Sequence, residues 1–145
     1  MAPFVKTSGG KGLHIVVPIV PDHGWDDAKD FSEEVVIHMA STIPQLFVAK
    51  SGGRNRVGRI FIDYLRNGFQ ASTIAAFSAR ARPGLGVSVP VAWRELKTLT
   101  AANQWTIENV HERLARLRAD PWKDYAKTRQ SITKAARLLA AAKKD

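Results

Sequence analysis

The stretch that decides the predicted fold is R-V-G-R-I-F-I-D-Y-L-R-N, which runs from Arg56 to Asn67. Its β-branched, aromatic and aliphatic side chains suit a pleated strand, and the weak alternation indicates burial on both faces of a sheet. Asp63 lies inside this apolar run. A buried carboxylate must be paired, hydrogen-bonded or metal-bound, because an unpaired buried charge is very costly. Two interpretations stay open: a neighbouring arginine neutralises Asp63, or Asp63 is a metal ligand on the floor of a basic, phosphate-binding site.

The composition is that of a basic globular chain of 145 residues, a length that can bury a core as one domain. Lys and Arg number 22 against 13 Asp and Glu, so the formal net charge is +9. This excess favours a polyanionic partner, with nucleic acid or nucleotide phosphate first. Cysteine is absent, which excludes disulfides and thiolate metal sites and fits a cytoplasmic protein. We expect no membrane partner, because no apolar run reaches the roughly 18 residues of a transmembrane helix.

A glycine-rich turn separates two predicted strands near the start of the chain. Phe4 to Lys6 is predicted to be extended, and Leu13 to Val20 is predicted to be a strand in which Pro18 marks an edge or a bulge. The glycines of Thr7 to Gly12, T-S-G-G-K-G, would let backbone N–H groups approach an anion, beside a hydroxyl and an ammonium. This is not the P-loop motif, because the order differs and a strand follows. A flexible hairpin turn without a ligand is the alternative interpretation.

Three main helices are predicted from the helical spacing of apolar residues and from capping signals. They run from Trp25 to about Ser41, from Thr106 to about Arg118, and from about Trp122 to Ala142. A short helical turn is predicted from Val91 to Leu96.

The predicted fold class is α+β, with a mixed or antiparallel sheet of about four strands packed with three main helices. Gln45 to Ala49 is predicted to be a short strand, and Phe69 to Ser78 is predicted to return as the second strand of a hairpin after the turn at Asn67-Gly68. We expect one domain over residues 1–145, with about 139–145 as a frayed tail.

Basic residues concentrate around the opening stretch. Between positions 50 and 82 the only acid is Asp63, whereas the basic residues are Lys50, Arg54, Arg56, Arg59, Arg66, Arg80 and Arg82. Like charges at this density repel one another unless an anion shares the site. The alternative is that they are solvated edge charges that prevent aggregation. The histidines are scattered and show no metal-ligand spacing.

Three blocks occur in an order and at a spacing that point to one family. They are K-T-S-G-G-K-G-L-H-I-V-V-P at Lys6 to Pro18, G-R-I-F-I-D-Y-L-R-N at Gly58 to Asn67, and S-A-R-A-R-P-G at Ser78 to Gly84. Together they resemble the polymerase (primase-like) domain of bacterial ATP-dependent DNA ligase D, of the archaeo-eukaryotic primase superfamily. The resemblance covers about Phe4 to Gln130. It implies a nucleotidyltransferase of non-homologous end joining that adds nucleotides to DNA ends, in the bacterial cytoplasm in association with the nucleoid.

The resemblance also implies roles for single residues. Asp63 matches an aspartate that supplies a catalytic metal ligand. The nucleotide-binding residues implied by the family's triphosphate block, basic loop and Arg-x-Arg motif are Ser8, Lys11, Gly12, His14, Arg56, Arg80 and Arg82.

The family's other two catalytic carboxylates form an Asp-x-Asp pair before the Ser-Gly-Gly-Lys-Gly block, and no Asp-x-Asp occurs in this sequence. Two-metal phosphoryl transfer needs several oxygen ligands to hold the ions about 4 Å apart, which Asp63 alone cannot provide. We therefore expect the C-terminal half of such a domain, inactive in isolation, which takes Mn²⁺ or Mg²⁺ only where a partner half completes the site.

Two further hypotheses stay open. In one, the chain is a non-catalytic nucleotide- or DNA-binding module, or a remnant of a split ligase D gene, that binds phosphate without metal chemistry. In the other, an uncovered apolar sheet face or edge pairs with an N-terminal half or with a second copy of the chain. The expected ligands are a nucleoside triphosphate and DNA ends.

Overall fold

A computed structural model describes residues 1–142. The chain forms two compact units, the first made of Met1–Ile19 and Ile74–Gln130, the second of Val20–Thr73 and the described residues from Ser131 onward. No helix among residues 1–142 combines the length and apolar character needed to cross a membrane.

Apart from one helix of 18 residues the regular elements are short, and the chain between them is irregular. In chain order they are β1 (Phe4–Thr7), β2 (Leu13–Val16), α1 (Trp25–Thr42), β3 (Phe47–Val48), β4 (Ile60–Phe61), β5 (Pro90–Val91), α2 (Val110–Arg116) and α3 (Thr133–Ala142). Single 3₁₀ turns lie at Gly53–Arg56, Leu65–Asn67, Trp93–Lys97 and Tyr125–Lys127.

The first unit is built on an antiparallel sheet of order β2-β1-β5. In its register Lys6 of β1 lies opposite both His14 of β2 and Pro90 of β5. Small β-branched residues fill the core beside β1, and Val5, Val89 and Val91 are almost fully buried. The hydroxyl of the buried Thr7 accepts a hydrogen bond from the N–H of Val89 (2.9 Å), which satisfies a polar group inside the core.

Aromatic packing on β1 explains why the last helix starts later than predicted. Phe4 makes edge contacts with Trp122 (5.9 Å between ring centroids) and Tyr125 (5.3 Å), and these two rings stack on each other at 4.9 Å. The indole N–H of Trp122 donates to the Val5 carbonyl (3.0 Å). These contacts hold Trp122 and Tyr125 in turns. The predicted helix from about Trp122 was therefore wrong up to Thr133, where α3 begins.

In the second unit, α1 confirms the predicted helix. Its first turn carries Asp26 and Asp27 at the positive end of the helix dipole, and an oxygen of Asp27 accepts the Gly24 N–H (2.9 Å). Near α1, β3 and β4 pair in parallel, with Val48 opposite Phe61. The frayed tail expected at about 139–145 falls partly in α3, which runs through Ala142, and its residues 143–145 lie outside the described residues.

The prediction of one long strand over Arg56 to Asn67 was wrong. Only Ile60–Phe61 is a strand, because a positive φ of 68° at Gly58 precedes it and an Asx turn follows it, in which Asp63 Oδ1 accepts the Leu65 N–H (3.1 Å). The predicted hairpin was wrong too. Residues 69–78, all of them described, form no strand, and β4 pairs with β3 instead.

The α+β class, with an antiparallel sheet and three α-helices, is confirmed, although the strands divide between two sheets. Three boundaries differ from prediction. The strand after the glycine turn ends at Val16, before Pro18, which cannot donate to a ladder. The helix expected from Thr106 begins at Val110 with Asn109 as its N-cap. The short helical turn expected from Val91 is a 3₁₀ turn over Trp93–Lys97, because Val91 still belongs to β5.

Candidate phosphate-binding site

The glycine turn after β1 is closed by its own serine. The buried Ser8 Oγ accepts hydrogen bonds from the N–H groups of Gly10 (3.1 Å) and Gly12 (3.2 Å), and the Ser8 N–H donates to the Gly12 carbonyl (3.0 Å). Neither side-chain bond uses the hydroxyl hydrogen of Ser8. We call residues Ser8 to Gly12 the Ser8 turn. Its hydrogen bonding closes the turn that joins the antiparallel strands β1 and β2, and the Gly10 and Gly12 N–H groups are already engaged within the turn.

A close backbone approach fixes the Ser8 turn to the rest of the first unit. Gly9 has a φ of +63°, and a Cβ added there would lie 2.4 Å from the Gly86 carbonyl oxygen. The Gly9 N–H donates to the Ala102 carbonyl (3.1 Å). Only a residue without a side chain fits such a contact in that conformation, so Gly9 serves packing rather than ligand binding.

The structure brings Arg80 to the Ser8 turn. A Cβ added at Gly10 would lie 2.8 Å from Arg80 Nη1, so the guanidinium lies directly against the turn. The Arg80 N–H donates to the Gly86 carbonyl (2.9 Å), which ties its backbone to the residue that packs on Gly9. Lys11 in the turn and Arg82, two residues beyond Arg80, are exposed.

A buried lysine next to this site was missed from the sequence. Lys6 is 4% exposed, and its ammonium donates to the Ile74 carbonyl (2.5 Å) and to Ser88 Oγ (2.8 Å). Burial lowers the pKa of Lys6 from its ordinary value, and the charge of Arg80 lowers it further. Among the described residues no carboxylate forms an ion pair with Lys6. The signal available was strand alternation, which puts Lys6 on the same face as Ser8.

His14 lies on β2 directly opposite Lys6, and cross-strand partners share a face of the sheet. The first unit contains six of the seven residues predicted to bind nucleotide, and it also contains Lys6, which was not predicted. Those six, which lie in the Ser8 turn, on β2 and in the segment that carries Arg80, are Ser8, Lys11, Gly12, His14, Arg80 and Arg82.

Arg56 and Asp63 belong to the second unit. The Asp63 side chain is 45% exposed, and its Oδ2 lies 3.8 Å from Arg66 Nε, so the expectation of a buried carboxylate was wrong. The reason is that β4 ends two residues earlier and leaves Asp63 in a surface turn. The exposed Arg56 guanidinium stacks over the Phe61 ring at 4.4 Å.

A metal centre is not assembled by the residues that the structure describes. Within 1–142 no group of three or more His, Asp or Glu side chains is placed to hold a metal ion. Asp63 offers one carboxylate, of which one oxygen already accepts the Leu65 N–H. A hard divalent cation takes about six oxygen ligands, so Asp63 fits at most one position of such a site.

The electrostatics of the first unit favour an anion. Lys6 and Arg80 are close enough for one charge to disfavour the other, and Lys11 adds a cation in the turn itself. An anion beside like charges relieves their repulsion, and guanidinium donors match phosphate oxygens in geometry. The arrangement can bind and orient a phosphate group through side chains.

Known proteins resemble this chain over most of its length. Residues 1–122 match the family model described as "LigD, primase-polymerase domain". The multifunctional non-homologous end joining protein LigD of Pseudomonas aeruginosa is 56% identical over 135 residues, which are 92% of this chain and 16% of that protein. LigD of Mycobacterium tuberculosis is 30% identical over 116 residues, 80% of this chain and 15% of that protein.

A solved structure is similar as well. The polymerase domain of Mycobacterium tuberculosis ligase D, determined in complex with DNA, superposes with a TM-score of 0.74 at 28% identity. The match covers 83% of this chain and 42% of that domain. The chain thus spans less than a fifth of the curated relatives and under half of the solved domain.

Proposed function

The chain belongs to the LigD primase-polymerase domain family, and from this premise we propose that it provides the triphosphate-binding part of a nucleotidyltransferase that extends DNA ends. The observation that carries the proposal is the Arg80 guanidinium against Gly10 of a turn closed by Ser8. In this role Arg80 and Lys11 neutralise phosphate oxygens of an incoming nucleotide. The buried Lys6, which shares a face of the sheet with His14, adds to the positive potential around Arg80.

DNA is the proposed second ligand. The solved relative was captured in complex with DNA, and the net charge of +9 attracts a polyanion. Acting on DNA ends, the protein would work in the bacterial cytoplasm at the nucleoid. Pairing with an N-terminal half or with a second copy remains part of the proposal, because the catalytic carboxylates must come from further residues.

We propose that this chain contributes only one ligand to the catalytic metal ions. Mn²⁺ or Mg²⁺ supplies charge stabilisation in phosphoryl transfer, and Asp63 would provide one ligand to it. The 145-residue chain by itself is expected to bind nucleotide without extending a primer.

The test is calorimetric titration of a nucleoside triphosphate into the chain, with and without Mn²⁺. We expect binding in the absence of metal, and a loss of roughly tenfold to hundredfold in affinity for Arg80→Gln, because a hydrogen bond to a charged group contributes about 1.5–3 kcal/mol. The matched control is Arg137→Gln, which removes an exposed charge on α3. Equal affinities of the two variants, or no binding by the wild type, would refute the proposed site.

The same titration separates a polymerase part from a simple binding module. If Asp63 is a metal ligand, Mn²⁺ strengthens binding in the wild type and has a smaller effect in Asp63→Asn. Binding that is indifferent both to Mn²⁺ and to this substitution indicates phosphate recognition without metal chemistry. Primer extension by the purified chain, abolished in Asp63→Asn, would overturn the expectation that the chain is inactive alone.

A further inference from the structure

A second basic surface lies in the first unit, in segments that are distant in sequence from the Ser8 turn. It is a cleft of about 380 Å³ formed by the 3₁₀ turn after β5, by the end of α2 and by the loop that follows α2. The charged residues that line it are Arg94, Glu95, Arg113, Arg116, Arg118, Asp120 and Lys123. Five of these are basic and two are acidic, so the lining carries a clear positive excess.

Both acids of the cleft are already engaged. Glu95 Oε1 lies 2.6 Å from Arg113 Nη1, and Glu95 Oε2 accepts the Ala92 N–H (2.7 Å). Burial pushes the pKa of Glu95 upward, but the hydrogen bonds from Ala92 and Arg113 outweigh it and the pKa is lowered. Asp120 Oδ1 accepts the Trp122 N–H (2.8 Å). Each carboxylate thus has a bound partner and Glu95 also interacts with Arg94, but five cations against two acids still leave the lining with a net excess of three positive charges.

Arg113 is part of the wall rather than a free cation. Its side chain is 14% exposed, its guanidinium lies 5.1 Å from the centroid of the Trp105 ring, and its charge is matched by Glu95. This leaves the cations at the outer lining as the groups that a ligand would meet. Pairing with Glu95 neutralises the charge of Arg113 in the wall.

The outer cations are exposed and weakly paired. Arg116 Nη2 lies 3.6 Å from Glu112 Oε2, with both side chains more than half exposed, and a surface pair of this kind contributes little. Among residues 1–142, no carboxylate forms an ion pair with Arg94, Arg118 or Lys123. Four cations thus face solvent along one cleft with one exposed partner among them.

We propose that this cleft binds the phosphate backbone of DNA, as a site separate in sequence from the triphosphate site at the Ser8 turn. The inference rests on the proposed function, in which DNA is the substrate. Three of the four outer cations are arginines, whose planar guanidinium matches phosphate oxygens better than an ammonium does. Contacts of this kind position a duplex without reading its sequence, so the site would hold the stem of a DNA end.

The test is the salt dependence of DNA binding, measured by fluorescence anisotropy with a labelled duplex that has a 3′ overhang. The cleft variant is Arg116→Gln/Arg118→Gln/Lys123→Gln. The control variant is Arg129→Gln/Lys134→Gln/Arg137→Gln, which removes three charges outside the cleft and changes the net charge equally. Circular dichroism and thermal melting verify that both variants fold.

The cleft variant should bind the duplex at least about tenfold more weakly at low salt. Its slope of log affinity against log salt should fall by up to about 2.7, because each duplex phosphate contact contributes roughly 0.9. The control variant should keep a slope close to that of the wild type. Equal losses in the two variants would overturn the cleft, since they would show an effect of net charge alone.

Two further measurements separate this inference from its premise. The affinity for triphosphate should be unchanged in the cleft variant. If the wild type binds triphosphate but not DNA, the DNA-binding role of the cleft is refuted, whereas the triphosphate site at the Ser8 turn is not. Polyglutamate of the same charge serves as a competitor. If it displaces the labelled duplex as well as unlabelled DNA does, the surface recognises acidic polymers in general, and a DNA-specific role is overturned.

Discussion

Replacing Gly9 by alanine should destabilise the protein more than any other alanine substitution in the Ser8 turn. The added methyl group would lie 2.4 Å from the Gly86 carbonyl oxygen and 3.0 Å from the Val87 carbonyl carbon. Both are backbone atoms, so no side-chain rotation relieves the clash. The backbone itself would have to move in the segment that carries Arg80.

The magnitude has two parts. A φ of +63° costs a non-glycine residue about 1–2 kcal/mol, and overpacking of a tight site costs about 1–3 kcal/mol. Gly9→Ala should therefore lower the free energy of unfolding by about 2–5 kcal/mol. For a chain of this size the melting temperature should fall by roughly 8–20 °C.

Gly12→Ala is the matched control in the same turn. Nothing lies within 4 Å of a Cβ at Gly12, and its φ is not in the left-handed region, so the change should stay within about 0.5 kcal/mol. Urea denaturation followed by tryptophan fluorescence measures both, with the slope of free energy against urea checked for constancy. If Gly9→Ala unfolds at the urea concentration of the wild type, the backbone contact between the Ser8 turn and Gly86 does not exist as described.

Three other substitutions give distinct expectations. The added methyl of Gly10→Ala meets the end of the flexible Arg80 side chain at 2.8 Å and touches Ser8 Oγ at 3.4 Å, so it should weaken triphosphate binding several-fold in calorimetry while changing stability by less than about 1 kcal/mol; a large loss of stability would contradict this. Asp63→Asn should change the free energy of unfolding by under about 0.5 kcal/mol, because the carboxylate is 45% exposed and its pair with Arg66 is long; a cost of several kcal/mol would point to a buried carboxylate after all. Glu95 has a lowered pKa, so its ion pair stabilises the fold above the ordinary pKa of about 4.3 and loses this effect as pH falls through the folded value. Glu95→Gln should therefore be less stable than the wild type at pH 7, and denaturation at a series of pH values should show the two converging in acid; a constant difference would exclude the pair with Arg113 as the cause.

Local signals in the sequence were sufficient for α1 and for the Ser8 turn. The helix follows from apolar spacing and from acids in its first turn, all within Trp25–Thr42. The motif T-S-G-G-K-G fixes a turn because the serine hydroxyl lies within reach of the N–H groups two and four residues later. Such features depend on neighbours in the chain, which a sequence displays directly.

The stretch Arg56 to Asn67 was misjudged because composition and turn chemistry point in opposite directions there. Its apolar residues favour a strand, but Gly58 adopts a left-handed conformation and Asp63 caps the Leu65 N–H. Neither Gly58 nor Asp63 changes the number of apolar side chains from which the strand was predicted. The turn-forming tendency of aspartate was the signal that should have shortened the strand.

Lys6 was missed because its role depends on contacts with residues that are distant in the sequence. Its ammonium bonds to Ile74 and Ser88, which lie 68 and 82 residues further along the chain. These two residues bracket the segment that carries Arg80. Lys6, in a strand of four residues, therefore contacts both ends of the segment that places Arg80 against the Ser8 turn. These contacts are visible only in the folded structure.

The way in which the Ser8 turn is closed decides how it can hold a phosphate. In a P-loop, free backbone N–H groups cradle the anion, whereas here the N–H groups of Gly10 and Gly12 already donate to Ser8 Oγ and that of Gly9 donates to Ala102. Affinity must then come from side-chain cations, chiefly Arg80 and the exposed lysine of the turn. Charge at an exposed site is screened by salt more strongly than hydrogen bonds from a buried backbone. In the proposed site Gly9 accordingly serves close packing, and phosphate would be recognised by Lys11 of the turn together with Arg80, which comes from a distant part of the sequence.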